Sequence, residues 1–198
     1  MSEEPRRPQN FSITPGSGAS RIEGAMVTLW RSATFAPRWF EDAKREAAVV
    51  GIDARRREIL FAVCFAESYF LEWVRDEVLK RKFAALDEYF PPDDGRGVLD
   101  RWKEVPKLLR TKGLIQAPPD YGRSFWQDFT KLVDYRNGLV HARASRPQAD
   151  HTPPAKVPAP TPQDLNEMQP GWPTWVVVTL VGELHAAART TPPTWLTP

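Results

Sequence analysis

The chain has 198 residues and a formal net charge of +2, enough for one well-cored domain with tails and too short for two large ones. A charge this near zero neither demands nor forbids an anionic partner, because local clusters decide that. A single cysteine excludes an internal disulfide, and with three histidines, no CxxC pair and no HExxH, a metal or other cofactor site has little to be built from.

Cys64 sits inside an apolar run and reads as a buried core thiol in a reducing cytoplasm. The first residues, Met1 to Pro8, lack an apolar signal core, and no stretch approaches the length of a membrane span. The expectation is a cytoplasmic protein without membrane contact. Residues 1–20, rich in Ser, Pro, Gly and charge, read as a flexible arm, and 21–198 as one α-helical domain. Residues 21–35 are apolar enough to pack but show no clean period.

From Pro37 the pattern Trp39, Phe40, Ala43, Ala47 predicts a short helix ending near Gly51. Asp53 is the expected N-cap of the longest helix, from about Ala54 to Lys82. Its stripe Ile59, Val63, Ala66, Phe70, Val74 recurs at three and four, and Glu67 falls on it, whereas Glu72 lies on the solvent side. A carboxylate on an apolar face needs a cation or backbone donors, unless it is only partly covered. After the breaker Pro91-Pro92-Asp93-Asp94-Gly95, the residues Val98, Leu99, Trp102, Val105, Leu108 and Leu109 predict an amphipathic segment notched by Pro106 and ended by Gly113.

The next helix begins near Ser124 and runs through Phe129, Leu132 and Val133 into Tyr135-Arg136-Asn137-Gly138-Leu139-Val140-His141-Ala142. Residues 147–173 hold eight prolines and read as an extended linker. Beyond them Val177, Val181, Leu184 and Ala188 keep a four, three, four spacing, so the β-branched run from Trp175 is read as a helix.

Arg136, Asn137 and His141 place a phosphate-holding cation, an amide and a proton-transfer group inside an apolar helical pattern. An Arg with a His five places on is a weak signal in itself, since Arg146 and His151 repeat it within the linker. On an ideal helix Arg136 and His141 lie about 140° apart, whereas Asn137 and His141 share a face. A helix that loosens at Gly138 would let all three point into one cleft. His151 and His185 read as bland. The clusters Arg55-Arg56-Arg57 and Lys80-Arg81-Lys82, with Lys107, Arg110 and Lys112, read as solvated faces that would draw RNA only where they line such a cleft.

The stretch 135–142 resembles the Arg, polar residue, three residues, His motif of the HEPN superfamily. Phe65-Ala66-Glu67-Ser68-Tyr69-Phe70-Leu71-Glu72-Trp73 is similar to the long helix of such proteins with its internal Glu, and Arg101-Trp102-Lys103-Glu104-Val105-Pro106 to the Trp-Lys then Pro segment between that helix and the motif. The resemblance covers roughly residues 53–144.

It implies an all-α, HEPN-like helical bundle with a proline-rich connection before the last helix. As function it implies a metal-independent endoribonuclease cleaving by 2′-OH attack, with a toxin or phage-defence role. Arg136 would hold the phosphate, Asn137 act as the polar orienter and His141 transfer the proton. Apart from the resemblance, if the long helix and the motif helix pack side by side their apolar stripes must face each other, and Glu67 and Arg136, the charged members of those stripes, should meet. The implied partners are RNA, a second copy in a homodimer, and an antitoxin protein. There is one departure: Arg143 stands where members modified by a nucleotidyltransferase antitoxin carry Tyr. Three readings stay open at this point: an active ribonuclease, a non-catalytic RNA-binding or dimerisation module, and a structural protein in which Glu67 and Arg136 form an internal ion pair.

Overall fold

The computed structural model describes residues 12–13, 19–21, 28–30, 34–82, 85–91, 95–141 and 160–196, with backbone alone for the first three stretches and for residue 141. The chain divides into two compact units, residues 1–34 and 35–198. In the first, β1 (Ser12–Ile13), β2 (Ala19–Arg21) and β3 (Thr28–Trp30) form an antiparallel meander that pairs Ser12 with Arg21 and Ser20 with Leu29. Most of the expected arm, 1–20, lies outside the described residues.

All secondary structure among the described residues of the second unit is helical, and the fold class is all-α. Helix α1 (Ala36–Ala47) has Pro37 in its first turn and buries Ala36, Phe40 and Ala43. No side chain of its own caps it. Instead Glu72, expected to face solvent, accepts the Phe35 and Ala36 amides at 2.6 and 3.1 Å, which satisfies donors that a helix start leaves open.

Gly51, at φ 125°, turns the chain into α2 (Ile52–Trp73), which continues as a single π turn over Val74–Val78. Asp53 is therefore not the N-cap. Gly51 supplies the left-handed backbone that starts the helix, and Asp53 falls in the first turn, bonded to Arg56 at 2.9 Å. Helix α2 is central, packed by α1, α5, α6 and α7. It is apolar on more than one side because it serves more than one neighbour. Phe65 meets Phe40 of α1 with ring centroids 5.1 Å apart, and Phe70 stacks on Trp102 at 4.4 Å.

A one-turn α3 (Leu86–Tyr89) precedes α4 (Val98–Thr111), which contains Pro106 without ending there. Proline has no N–H for the Trp102 carbonyl four residues back. The Tyr121 hydroxyl donates to that oxygen instead, at 2.6 Å. Gly113, at φ 69°, stops the chain from continuing as helix.

Helix α5 (Ser124–His141) buries Phe125, Phe129, Leu132 and Val133, as its period requires. Residues 147–159 of the expected linker, 147–173, lie outside the described residues, but the rest of it corrects the reading. Helix α6 (Pro162–Glu167) opens with Pro162, where the missing N–H costs nothing, and with a capping box between Thr161 and Asp164. Its Leu165 is buried. Helix α7 (Trp172–Ala188) buries Val177, Val181, Leu184 and Ala188 and resolves the β-branched run as helix. No helix among the described residues is long and apolar enough to cross a membrane.

Candidate functional site

Helices α2 and α5 pack side by side and bring Glu67 and Arg136 together. The guanidinium Nη2 lies 3.8 Å from Glu67 Oε2, while Nη1 donates to Asn137 Oδ1 at 3.0 Å. The ion pair is longer than a hydrogen bond, so Arg136 keeps donors for another oxyanion.

Glu67 is only partly covered. Its side chain is 41% exposed and that of Arg136 27%, because Glu67 sits at the margin of the stripe whose centre is Val63, Ala66 and Phe70. The Glu67 carboxyl is nevertheless held above its ordinary range by partial burial, against the pull of Arg136 and Arg101.

On the α4 side of Glu67 a pocket of about 270 Å³ is lined by Ser68, Leu71, Phe90 and Arg101 over the Phe70–Trp102 stack. Cys64, one turn before Glu67, is half-buried rather than a core thiol. Burial and the Glu67 charge raise its pKa, with Arg136 opposing them, which is the reverse of what a thiolate nucleophile needs.

Helix α5 runs through Gly138 without interruption. The loosening at that glycine that would turn all three side chains into one cleft does not occur, so the backbone sets positions 136 and 141 about 140° apart while 137 and 141 share a face. The His141 side chain lies outside the described residues; its backbone is the end of α5. Arg136, Asn137 and Glu67 are thus brought together.

Most of the basic clusters are engaged locally among the described residues, whereas Arg81, Lys82 and Arg110 are exposed. Arg55 is buried, Arg56 bonds Asp53, and Arg57 bonds Glu46 at 2.9 Å. Lys80 pairs with Glu77, Lys107 with Glu104, and Lys112 with Glu88. Among the described residues, no three His, Cys, Asp or Glu side chains gather as a metal ligand set.

Two buried polar clusters were missed from the sequence. Arg55, 3% exposed, bonds Glu58, 0% exposed, and also donates to the Ala47 and Val49 carbonyls at the end of α1. Glu58 further accepts from the Gly171 and Thr174 amides, each at 3.4 Å, and from the Thr174 hydroxyl at 3.0 Å. It therefore caps α7, where a negative charge is favoured. The test applied to Glu67, a carboxylate on an apolar stripe, would have found Glu58 at the head of a second stripe, Ala62, Phe65 and Tyr69, that the reading along Ile59 passed over. In the second cluster His185 is sandwiched between the Tyr69 and Thr190 hydroxyls, 2.6 Å from each ring nitrogen.

A second pocket, about 330 Å³, lies among α5, α6 and the start of α7. Its aromatic corner, Tyr135 and Trp172, already holds the Lys131 ammonium 5.5 and 5.8 Å from the ring centroids, and Asp164 is engaged in the capping box.

Comparison with protein families, with curated proteins and with solved structures gives no match for this chain.

Proposed function

We propose that the chain is a metal-independent endoribonuclease of the HEPN type. The observation that supports this reading is the Arg136 guanidinium, fixed by Asn137 at 3.0 Å and set 3.8 Å from Glu67, on a helix that ends at His141. In the reaction a ribose 2′-OH attacks the adjacent phosphorus and the 5′-oxygen leaves, giving a 2′,3′-cyclic phosphate. His141 takes the hydroxyl proton or supplies one to the leaving oxygen. Arg136 stabilises the charge that grows on the phosphate, and Asn137 holds the guanidinium in direction. Glu67 is a positioning residue for Arg136. Because α5 separates positions 136 and 141 round its axis, the complete site is formed by two copies, with both motifs facing one groove.

Digestion of a mixed RNA in EDTA tests this with wild type beside His141→Ala and Arg136→Ala. Wild type leaves cyclic phosphate ends, and each variant loses on the order of 10²-fold or more of the rate. Equal cleavage by all three, or none by any across several RNAs, removes the enzyme reading. The unbroken α5 favours one alternative, a HEPN-like module that binds RNA or dimerises without catalysis, which retains RNA binding in that assay and shows no cut.

A further inference from the structure

We infer that the pocket between α2 and α4, lined by Glu67, Ser68, Leu71, Phe90 and Arg101, is a guanine-selective base subsite beside Arg136. This rests on the reading of the chain as an RNA-binding protein and names the base it prefers.

Size comes first. About 270 Å³ falls just under the roughly 300–1,000 Å³ of drug-sized ligand sites, which suits one heterocycle. The floor is rigid and apolar: Phe70 and Trp102 stack 20° from parallel, and Phe90 meets Phe70 edge-on at 5.7 Å. A flat ring replaces water there with little cost, whereas a phosphate would not.

The polar rim then selects among the bases. Among the described residues Glu67 makes no hydrogen bond, and its contact with Arg136 is an ion pair at 3.8 Å, so both carboxylate oxygens can accept. A carboxylate repels the RNA backbone but matches an edge carrying two parallel N–H donors. Guanine presents that edge, N1–H beside the 2-amino group. Adenine and cytosine each offer one amino donor next to a ring acceptor that faces the carboxylate unfavourably, and uracil offers one N–H between two carbonyls. Arg101 lines the same rim and adds a positive charge opposite the base's acceptor side. A site of this kind leaves its carboxylate unpaired when the wrong base enters, which is the stronger source of discrimination.

The experiment is fluorescence anisotropy with uncleavable 2′-O-methyl hexauridines carrying one central guanine, inosine, adenine or cytosine. Wild type binds the guanine oligonucleotide about tenfold or more tightly than the adenine and cytosine ones, one bidentate contact's worth. Inosine, which keeps N1–H and lacks the 2-amino group, falls between. Glu67→Gln, checked for an unchanged circular dichroism spectrum, removes the guanine preference, because an amide with one acceptor and one donor matches the adenine and cytosine edges instead. Equal affinities in wild type, an inosine affinity matching that of guanine, or a guanine preference that survives Glu67→Gln overturns the subsite. Inosine gives this answer without relying on any variant to fold. Cleavage of RNA without base preference leaves the ribonuclease reading standing and removes the subsite; preference for guanine without cleavage does the opposite. Failure to bind any of the four overturns the subsite, and the digestion in EDTA alone decides the ribonuclease reading.

Discussion

Helix α2 carries two carboxylates nine residues apart, about half a turn round its axis, and each meets an arginine in a different way. Glu58 is fully buried, and four donors converge on it from Arg55, Gly171 and Thr174. Glu67 is 41% exposed, with Arg136 at 3.8 Å and Arg101 also acting on its carboxyl. The first pair is closed: its charge is matched on every side, and α1, α2 and α7 are tied at one point. The second is open, with lone pairs and guanidinium donors left over. Charge on a helix face therefore says little about role; the number of unused partners says more.

The largest expected effect tests closure. Glu58→Ala should cost about 3–5 kcal/mol, because it strands a buried guanidinium and uncaps α7 together. Urea denaturation measures it, and a loss under about 1 kcal/mol would mean that Glu58 is not the tie described. An intermediate test uses the neutral cluster that Tyr69 of α2 forms with α7. Burial lowers the His185 pKa below its ordinary value of 6.5, against the pull of Glu77 and the Thr190 bond. The fold thus favours the uncharged ring, and its stabilisation is complete above about pH 6.5 and lost as the pH falls through the lowered value. Unfolding midpoints at about pH 7.5 and about pH 5 should drop more for wild type than for His185→Gln; equal drops would show that His185 is not the group responsible. The smallest effect belongs to the open pair. Glu67→Ala should change stability by no more than about 1 kcal/mol, the worth of an exposed ion pair, and a loss of several kcal/mol would make Glu67 a second structural tie.

The helices were readable because their signal is local. The three and four spacing of Ile59, Val63, Ala66 and Phe70, or of Val177, Val181, Leu184 and Ala188, is set by residues one turn apart. The meeting of Glu67 with Arg136 also followed from stripes that had to face each other. Its exposure did not, since angular position on a wheel gives no account of how far the neighbouring helix reaches. Arg55 and Glu58 were hidden for a stronger reason: the Thr174 that completes the pair is 116 positions away, and Arg55 was read with Arg56 and Arg57 as one solvated run. Helix α6 escaped because proline was counted as a breaker without regard to its place at a helix start. For the candidate site, the residue types and their helix were legible, whereas the pocket on the α4 side depends on Phe90 and Arg101, which no local pattern connects to Glu67.

The cap that Glu58 places on α7 also makes the peptide links before it dispensable for holding that helix. Its N-terminus is anchored through Thr174 and Gly171, its far end through His185 and Tyr69, and its apolar face lies against α2 and α5. None of these attachments runs through residues 142–159. A chain cut anywhere in that interval would keep every one of these attachments as a contact between its two fragments. Separate expression of residues 1–141 and 160–198 could therefore reconstitute the bundle without a covalent connection.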